Sequence, residues 1–477
     1  MRRFRATILT LMCAAGVLGQ TPAPQAIRLS VAAVDASGNP VSDLKPGDFQ
    51  ITDQSRPQRI ASFRPGGADA FDAAPLAAQE SSNRTAGARL HTAVILFDLL
   101  NEGQTERLDA WHKLGHSVAQ LQSGESVYLY LLTLEGSLAP IHPLDSKAGD
   151  DKTWTQGVDK VLDKAMKAAS HARPAGMDDT EAVVKKTYVA LETLAVQLAM
   201  RPGRRDIIWI TSGIPNVWNP KTPCNGDWVD CALYVPHIAV TLQRTNVAVN
   251  PLSYTSNPSP DATRDLETFA GLTGGWTYFA EDIRAVLDHV AADAASSYTI
   301  AFDSPSDNWD SKFHKLRVTS GRKTVKLHVK NRYYAYAETK PEALQQAALG
   351  TAYQSPMDDP GIGLRATSAP ATGGKSLSVQ FRIDPGDLLL REENGALSGA
   401  VLYLIADIGT SGPIGNPTIS RYEIHVPGDQ RDRIFKEGVP IVLDHPINES
   451  IQRIRVIVLD QGSNATGSLT LPVAPGH

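Results

Sequence analysis

One stretch, His91 to Gly103, constrains the fold of this chain more than any other. It reads HTAVILFDLLNEG. Thr92 through Phe97 make a run suited to a strand buried on both faces, as strands of parallel sheets are. The run stops at Asp98, followed by polar residues, a glycine and then a helical pattern. Open α/β sheets hold ligands beyond the carboxyl ends of their strands, so Asp98 stands where chemistry is expected. The residues just after it decide what kind.

The alternation continues through residues 90–296. Strands are expected at Thr92–Phe97, Ser126–Leu134, Asp206–Thr211 and Asn246–Leu252, with a shorter one at Trp276–Phe279. Helices are expected between and after them: Glu106–Leu121, Val158–Ala169, Glu181–Met200, Pro236–Arg244, Thr263–Leu272 and Ile283–Ala295. Arg201, Pro202 and Gly203 stop the third of these. Buried strands alternating with amphipathic helices predict a doubly wound, mostly parallel sheet.

The flanks have another period. Residues 26–63 alternate and turn as a small β unit, and 64–89 read as an Ala/Gly/Ser/Asp linker. Residues 297–336 alternate with period two and predict a β extension packed on the preceding domains. Residues 337–374 read as a second linker. Six short alternating runs over 375–474 predict a C-terminal β-sandwich. A length of 477 residues agrees with about three domains.

The first 20 residues read as a secretory leader: Arg2, Arg3 and Arg5, a short apolar run Ile8–Leu18, then small residues, with cleavage expected near Gly19 or Gln20. This predicts a periplasmic or secreted protein with no membrane span in the mature chain. The net charge of −5 and the lack of a Lys/Arg stripe argue against nucleic acid. Once Cys13 leaves with the leader, Cys224 and Cys231 remain in a Pro/Asn/Gly/Trp-rich loop. In an oxidising compartment a short disulfide is expected.

Three segments carry a family resemblance: VILFDLLNEG at 94–103, RPGRRDIIWITSGIP at 201–215 and LETFAGLTGGWTYF at 266–279. With its flanks, this region resembles the von Willebrand factor A (vWA) fold, and more narrowly the secreted vWA-related proteins of acidobacteria. The resemblance spans roughly residues 26–336. It implies a Rossmann-like sheet and a metal-ion-dependent adhesion site built from Asp-x-Ser-x-Ser, a second-loop Thr and a later Asp. Here Asp98 matches the first position. Leu100 and Glu102 replace the two serines, Asn101 lies between them, Thr180 is the candidate threonine, and Ser212 replaces the later Asp. Asp98, Asn101, Glu102, Thr180 and Ser212 are therefore the candidate cation ligands, for Mg²⁺ or Ca²⁺ by their oxygen chemistry. The alternative is that Asp98 and Asn101 cap the next helix and bond loop amides.

Other patterns are weaker. His112 and His116 share a helix face but lack the glutamate of a zinc motif, so an ordinary helix face is expected. Gly373-Gly374-Lys375-Ser376 lacks the first glycine and the preceding strand of a phosphate loop. Asp178/Asp179 and Glu392/Glu393 read as solvated loop carboxylates. Tyr333, Tyr334 and Tyr336 read as a strand edge. Trp218 and Trp228, beside the cysteines, are candidates for a recognition loop. Together these readings predict a non-enzymatic vWA-like protein with a degenerate adhesion site, which binds an unidentified protein partner. The alternatives are a cell-envelope hydrolase and a purely structural envelope component.

Overall fold

The computed structural model describes residues 25–473, except 66–70, 72–73, 85–90, 103, 121–125, 145–154, 156–157, 172–179, 200, 202, 214–227, 256–259, 305–308, 337–340 and 372–374. The leader at 1–20, Asp178/Asp179, Trp218, Cys224 and Gly373-Gly374 lie outside these residues.

The chain opens with β1 (Gln25–Val34), β2 (Phe49–Asp53), β3 (Arg56–Gln58), β4 (Ile60–Arg64) and a short β5 (Ser81–Ser82). The α/β region follows. Its strands are β6 (His91–Asp98), β7 (Val127–Leu132), β8 (Leu138–His142), β9 (Arg204–Ile210), β10 (Val247–Ser253) and β11 (Tyr278–Phe279). Its helices are α1 (Gln104–Ala119), α2 (Val158–His171), α3 (Thr180–Ala199), α4 (Trp228–Thr245), α5 (Pro260–Thr273) and α6 (Ile283–Ala295). Then come β12 (Ser297–Ser304), β13 (Phe313–Ser320), β14 (Lys326–His328), β15 (Arg332–Tyr334) and α7 (Pro341–Gln354). The chain ends in β16 (Leu364–Pro370), β17 (Ser376–Ile383), β18 (Arg391–Glu393), β19 (Ala396–Gly409), β20 (Gly412–Ile414), β21 (Ser420–Pro427), α8 (Arg431–Glu437), β22 (Val439–Pro446), β23 (Arg453–Asp460) and β24 (Thr466–Pro472).

The fold is mixed α/β with several sheets. The central sheet has the order β11-β10-β9-β6-β7-β8. Neighbours from β11 to β7 pair in parallel, and β8 is an antiparallel edge on β7. Strand β6 shows why helices cover both sides. Val94 and Leu96 pack with residues of α3, α4 and α5. Ala93, Ile95 and Phe97 pack with residues of α1, α2 and α6. Each such large side chain contributes roughly 1.5–3 kcal/mol on burial. The sequence reading missed β8, whose half-buried residues lack a clear alternation.

The two flanking β segments form one unit. Sheets β14-β1-β12-β4 and β15-β13-β2-β3 enclose a shared core. The register explains the union: Ile27 faces Phe302, Leu29 faces Ile300 and Val31 faces Tyr298. All six are buried. The Tyr298 hydroxyl donates to Val41 O at 2.8 Å and accepts from Leu44 N at 3.1 Å. This sandwich sits at the lower end of the central sheet, where its parallel strands begin.

The C-terminal strands form two more sheets, β22-β17-β16-β5 and one centred on β19 and β23. Leu377, Val379, Phe381 and Ile383 point into their common core against Ile454, Val456 and Val458. Here the sequence reading is corrected. The stretch 337–374 is not a plain linker: it holds α7, which packs on Leu404, Ala406, Ile457 and Leu459 through Leu349 and Ala352. It also holds β16, whose Leu364 and Ala366 are buried. Residues 64–89 likewise supply β5, which pairs Ser82 with Arg365. Small and polar residues concealed all three elements. Helix α4 starts earlier than expected and takes in Cys231 and Trp228, so these two lie in a helix rather than a loop.

A buried ionic network joins the central sheet to the β1 sandwich. Asp206 is fully buried at the start of β9. Its carboxylate contacts His91 Nε2 at 3.1 Å, Arg204 Nε at 3.2 Å and Asn250 Nδ2 at 2.9 Å. Arg204 reaches Ser30 Oγ at 3.4 Å, and Asp293 holds His328 Nδ1 at 3.1 Å. Burial alone would raise the Asp206 carboxyl, but the Arg204 charge and the His91 and Asn250 hydrogen bonds hold it below its ordinary value. Its contribution is therefore present above the unfolded carboxyl range, near pH 4, and is lost as pH falls through the lower folded value. Asp206→Ala leaves Arg204 buried without its nearest carboxylate. It should cost about 3–5 kcal/mol in urea unfolding and remove part of the acid sensitivity. Unchanged stability would refute the network's role.

Candidate functional site

Strand order reverses between β6 and β9: the chain runs from β6 to β7 on one side, then returns to β9 on the other. The crevice beyond the carboxyl ends of these two strands is the topological switch point, where such sheets place ligands. Asp98 ends β6, and Thr211 and Ser212 follow β9. The sheet therefore brings Asp98 and Ser212 to one place although they are far apart in sequence.

Asp98 is fully buried, and both of its oxygens are occupied. Oδ1 accepts from the backbone amides of Leu100 and Asn101, each at 3.0 Å. Oδ2 accepts from Asn101 Nδ2 at 2.7 Å, Trp209 Nε1 at 2.9 Å and Thr211 Oγ1 at 3.1 Å. A carboxylate offers about four lone-pair sites, and five donors converge here. Burial pushes the Asp98 carboxyl above its ordinary range, while the bonds from Asn101, Trp209 and Thr211 oppose the shift.

The other candidates line the same crevice. Asn101 Nδ2 also donates to Thr187 Oγ1 at 2.8 Å, and Thr187 bonds back to Val183 O at 2.9 Å. Ser212 Oγ donates to Glu102 Oε2 at 2.5 Å and accepts from Thr255 Oγ1 at 3.1 Å. Gly213, at φ 108°, takes a backbone conformation that favours glycine, and its amide turns back onto Thr211 Oγ1. Thr180 is the first residue of α3; its side chain lies outside the described residues.

Arg107 on α1 is buried nearby and carries the positive charge of the site. Burial lowers its pKa, and the negative charges of Glu102 and Asp98 draw it back up. The Arg107 charge thus lies within electrostatic reach of the two carboxylates that a cation would seek. A divalent ion needs several free oxygens in a near-octahedral array. Leu100 offers no side-chain oxygen, the Asp98 oxygens are filled, and Glu102 Oε2 is taken by Ser212. Among the described residues, no group of three His, Cys, Asp or Glu is placed to hold a metal. These residues do not fit Mg²⁺ or Ca²⁺.

Sequence reasoning missed Arg107, Thr187, Trp209, Thr211 and Thr255. Trp209 and Thr211 were within reach, since an indole and a hydroxyl near the end of a buried strand need partners there. Thr187 and Thr255 carried no such signal. Of the weaker patterns, His112 and His116 lie exposed on α1, with His116 against Gln120 at 2.7 Å. Tyr333 is buried and donates to Asp53 Oδ2 at 2.6 Å, whereas Tyr336 is exposed. Glu392 and Glu393 are exposed on β18.

No family model matches the chain, and no curated protein does. Among solved structures, the human COPII-coat protein Sec24c is similar over 80% of this chain and 44% of that one. Identity is 10% and the TM-score is 0.25, too low to carry an argument. The chain thus spans less than half the length of that protein. No helix among the described residues is long and apolar enough to cross a membrane.

The hydrogen-bond pattern makes Asp98 a structural centre whose charge and shape both count. Asp98→Asn would turn an amide NH₂ toward groups that donate to the carboxylate. It should cost about 3 kcal/mol in urea unfolding. Trp209→Phe, which keeps an aromatic ring and removes one donor, should cost about 1 kcal/mol. Equal stability of Asp98→Asn and the parent would contradict this arrangement.

Proposed function

We propose that this protein is a non-enzymatic binding module of the vWA type, exported to the periplasm or beyond the cell. Its adhesion site is degenerate, and partner contact passes through the loops at the top of the central sheet. The carrying observation is the oxygen cluster at the switch point, where Asp98 takes Asn101 and Glu102 Oε2 takes Ser212. A metal-dependent adhesion site offers its open oxygens to a cation and, through it, to a partner. Here Arg107 and the hydrogen-bond donors around Asp98 occupy that role. Recognition then falls to the surrounding surface, and the segment carrying Trp218, Cys224, Trp228 and Cys231 follows β9 in the chain. A Cys224–Cys231 disulfide formed on export would restrain that segment.

One observation favours a second reading, a purely structural envelope component. The Asp98 carboxylate is locked from below by Trp209 and from the loop by the Leu100 and Asn101 amides, as such a component would require. The hydrolase reading has no comparable support: no histidine hydrogen-bonds Asp98 or Glu102 among the described residues.

Calorimetric titration of the purified protein with Mg²⁺, Ca²⁺ and Mn²⁺ separates a degenerate site from a working one. No saturable heat is expected for any of them. Saturable binding that Asp98→Ala abolishes would overturn the degenerate-site reading. Partner capture from envelope extract then tests the binding role. Retention should fall in a Trp218→Ser, Trp228→Ser variant and persist in a variant of the exposed Val442, far along the chain in β22. Capture that is equal in all three would favour the structural component.

A further inference from the structure

Where the β1 sandwich, the lower end of the central sheet and the C-terminal sandwich meet, cations and carboxylates gather, and three of the cations form no salt bridge among the described residues. Arg64 and Arg84 take Asp387, and Arg84 also takes Asp384. Arg204 is held by Asp206. Arg28 on β1, Arg205 on β9 and Lys330 just after β14 form no salt bridge among the described residues. The Nε atoms of Arg28 and Arg205 are buried without a hydrogen-bond partner. Arg205 uses only one other N–H, on Ala199 O at 2.7 Å. Lys330 is 5% exposed.

Strand pairing brings these side chains together. β14 runs antiparallel to β1 with Ala32 opposite His328, which carries Lys330 alongside Ser30, two residues from Arg28. Arg28 and Ser30 share a face of β1, and Ser30 receives a hydrogen bond from Arg204, next to Arg205 in β9. Arg28 is the like-charged neighbour that acts most strongly on Arg205, and the only charge that acts on Lys330. From the C-terminal sandwich Asp387 and Asp359 attract Arg205, and Asp460 and Asp387 attract Arg28, none of them forming a salt bridge to these two arginines. Asp387 already accepts from Arg64, Arg84 and the Gly363 amide, and Asp359 from Thr466 and the Gly361 amide.

Arg28 and Arg205 are half-buried and Lys330 is buried, and unfilled cationic donors in such places are costly unless an anion completes them. We propose that Arg28, Arg205 and Lys330 form a binding site for a small doubly charged oxyanion, a sulfate or a phosphate group, at this three-way junction. Guanidinium forks and an ammonium supply the planar and point-charge donors that such an anion accepts from. The bound anion ties β1, β9 and the segment after β14 together, so it acts as a clamp between the β1 sandwich and the central sheet.

The site has a pH signature. Burial and the Arg28 charge push the Lys330 ammonium down to about 7. The anion binds the protonated form, so affinity falls as pH rises beyond that value. Without anion, the lowered pKa costs stability below the unfolded lysine range, and that cost is full once pH falls beneath about 7. Of the other titratable groups on adjoining elements, His328 pairs with Asp293, and His91 and Arg204 pair with Asp206; Asp460, Asp387 and Asp359 face Arg28 and Arg205 from the C-terminal sandwich.

Thermal unfolding of the full chain in sulfate against chloride, at matched ionic strength, tests the proposal. Sulfate keeps its charge across the range used. At about pH 6 a saturable rise in Tm is expected, and at about pH 9 a rise needing roughly tenfold more sulfate. Lys330→Met should unfold at a higher temperature in chloride and lose the sulfate response. Arg28→Gln should weaken that response roughly tenfold and gives the same readout if the lysine variant does not fold. A parallel arm with glycerol phosphate tells a phosphomonoester from a free oxyanion, and a saturable rise with either ligand supports the site. No rise beyond chloride with either, or a rise unchanged in both variants, overturns it.

Discussion

The antiparallel pairing of β1 with β12 sets the terms for most of this molecule. It joins residues from the two ends of the α/β region, so that region is inserted into a β-sandwich rather than strung beside one. Tyr298 reaches Val41 and Leu44 across 257 and 254 positions of sequence. Closing such a loop is entropically unfavourable, though the cost grows only slowly with loop length. The facing pairs Leu29–Ile300 and Val31–Tyr298 offset it by removing large apolar side chains from water. Once that pairing exists, the lower end of the central sheet lies against the sandwich. Charges that would otherwise be solvated, such as Asp206, Arg204 and Lys330, are buried there.

The two ends of the central sheet use polar groups differently. At the upper end, Asp98 gathers donors until nothing is left to offer. At the lower end, Asp206 and Arg204 pair, but Arg28, Arg205 and Lys330 do not. A saturated carboxylate contributes to structure and offers little to a ligand. An unsaturated cation cluster costs stability in the empty protein and gains it on binding. Ligand chemistry is expected at the carboxyl ends of parallel strands. In this protein the stronger local demand for a ligand lies at the opposite end.

Much of the fold was legible in the sequence. The run Thr92–Phe97 gave a strand buried on both faces because every residue in it is apolar or β-branched, whichever face it meets. The alternation in SSYTIAFDSP gave β12 for the opposite reason, since only one face meets the core. Pairing was not legible, because nothing in SSYTIAFDSP names IRLSVAAV as its neighbour. Elements made of small residues were hidden too. β16 and α7 are rich in Ala, Thr, Ser and Gln, and their burial comes from packing on strands distant in sequence. At the site, Asp98, Asn101, Glu102 and Ser212 were visible as oxygen-bearing residues at strand ends. The bonds that fill the Asp98 and Asn101 side chains were not, since they depend on Trp209, Thr211 and Thr187 arriving from other elements.

The short strand β5 has a consequence for how this chain is made. Ser81 and Ser82 form the edge of a sheet whose other strands lie beyond residue 363. Synthesis proceeds from the N-terminus, so β1 and β5 emerge long before their partners. Until β12 and β16 arrive, β1 carries an apolar face and both strands carry open backbone edges, features that invite the wrong neighbour. The molecule's architecture thus makes the timing of its own completion a hazard. A chain arrested midway is a sticky fragment, with neither of its β-sandwiches closed.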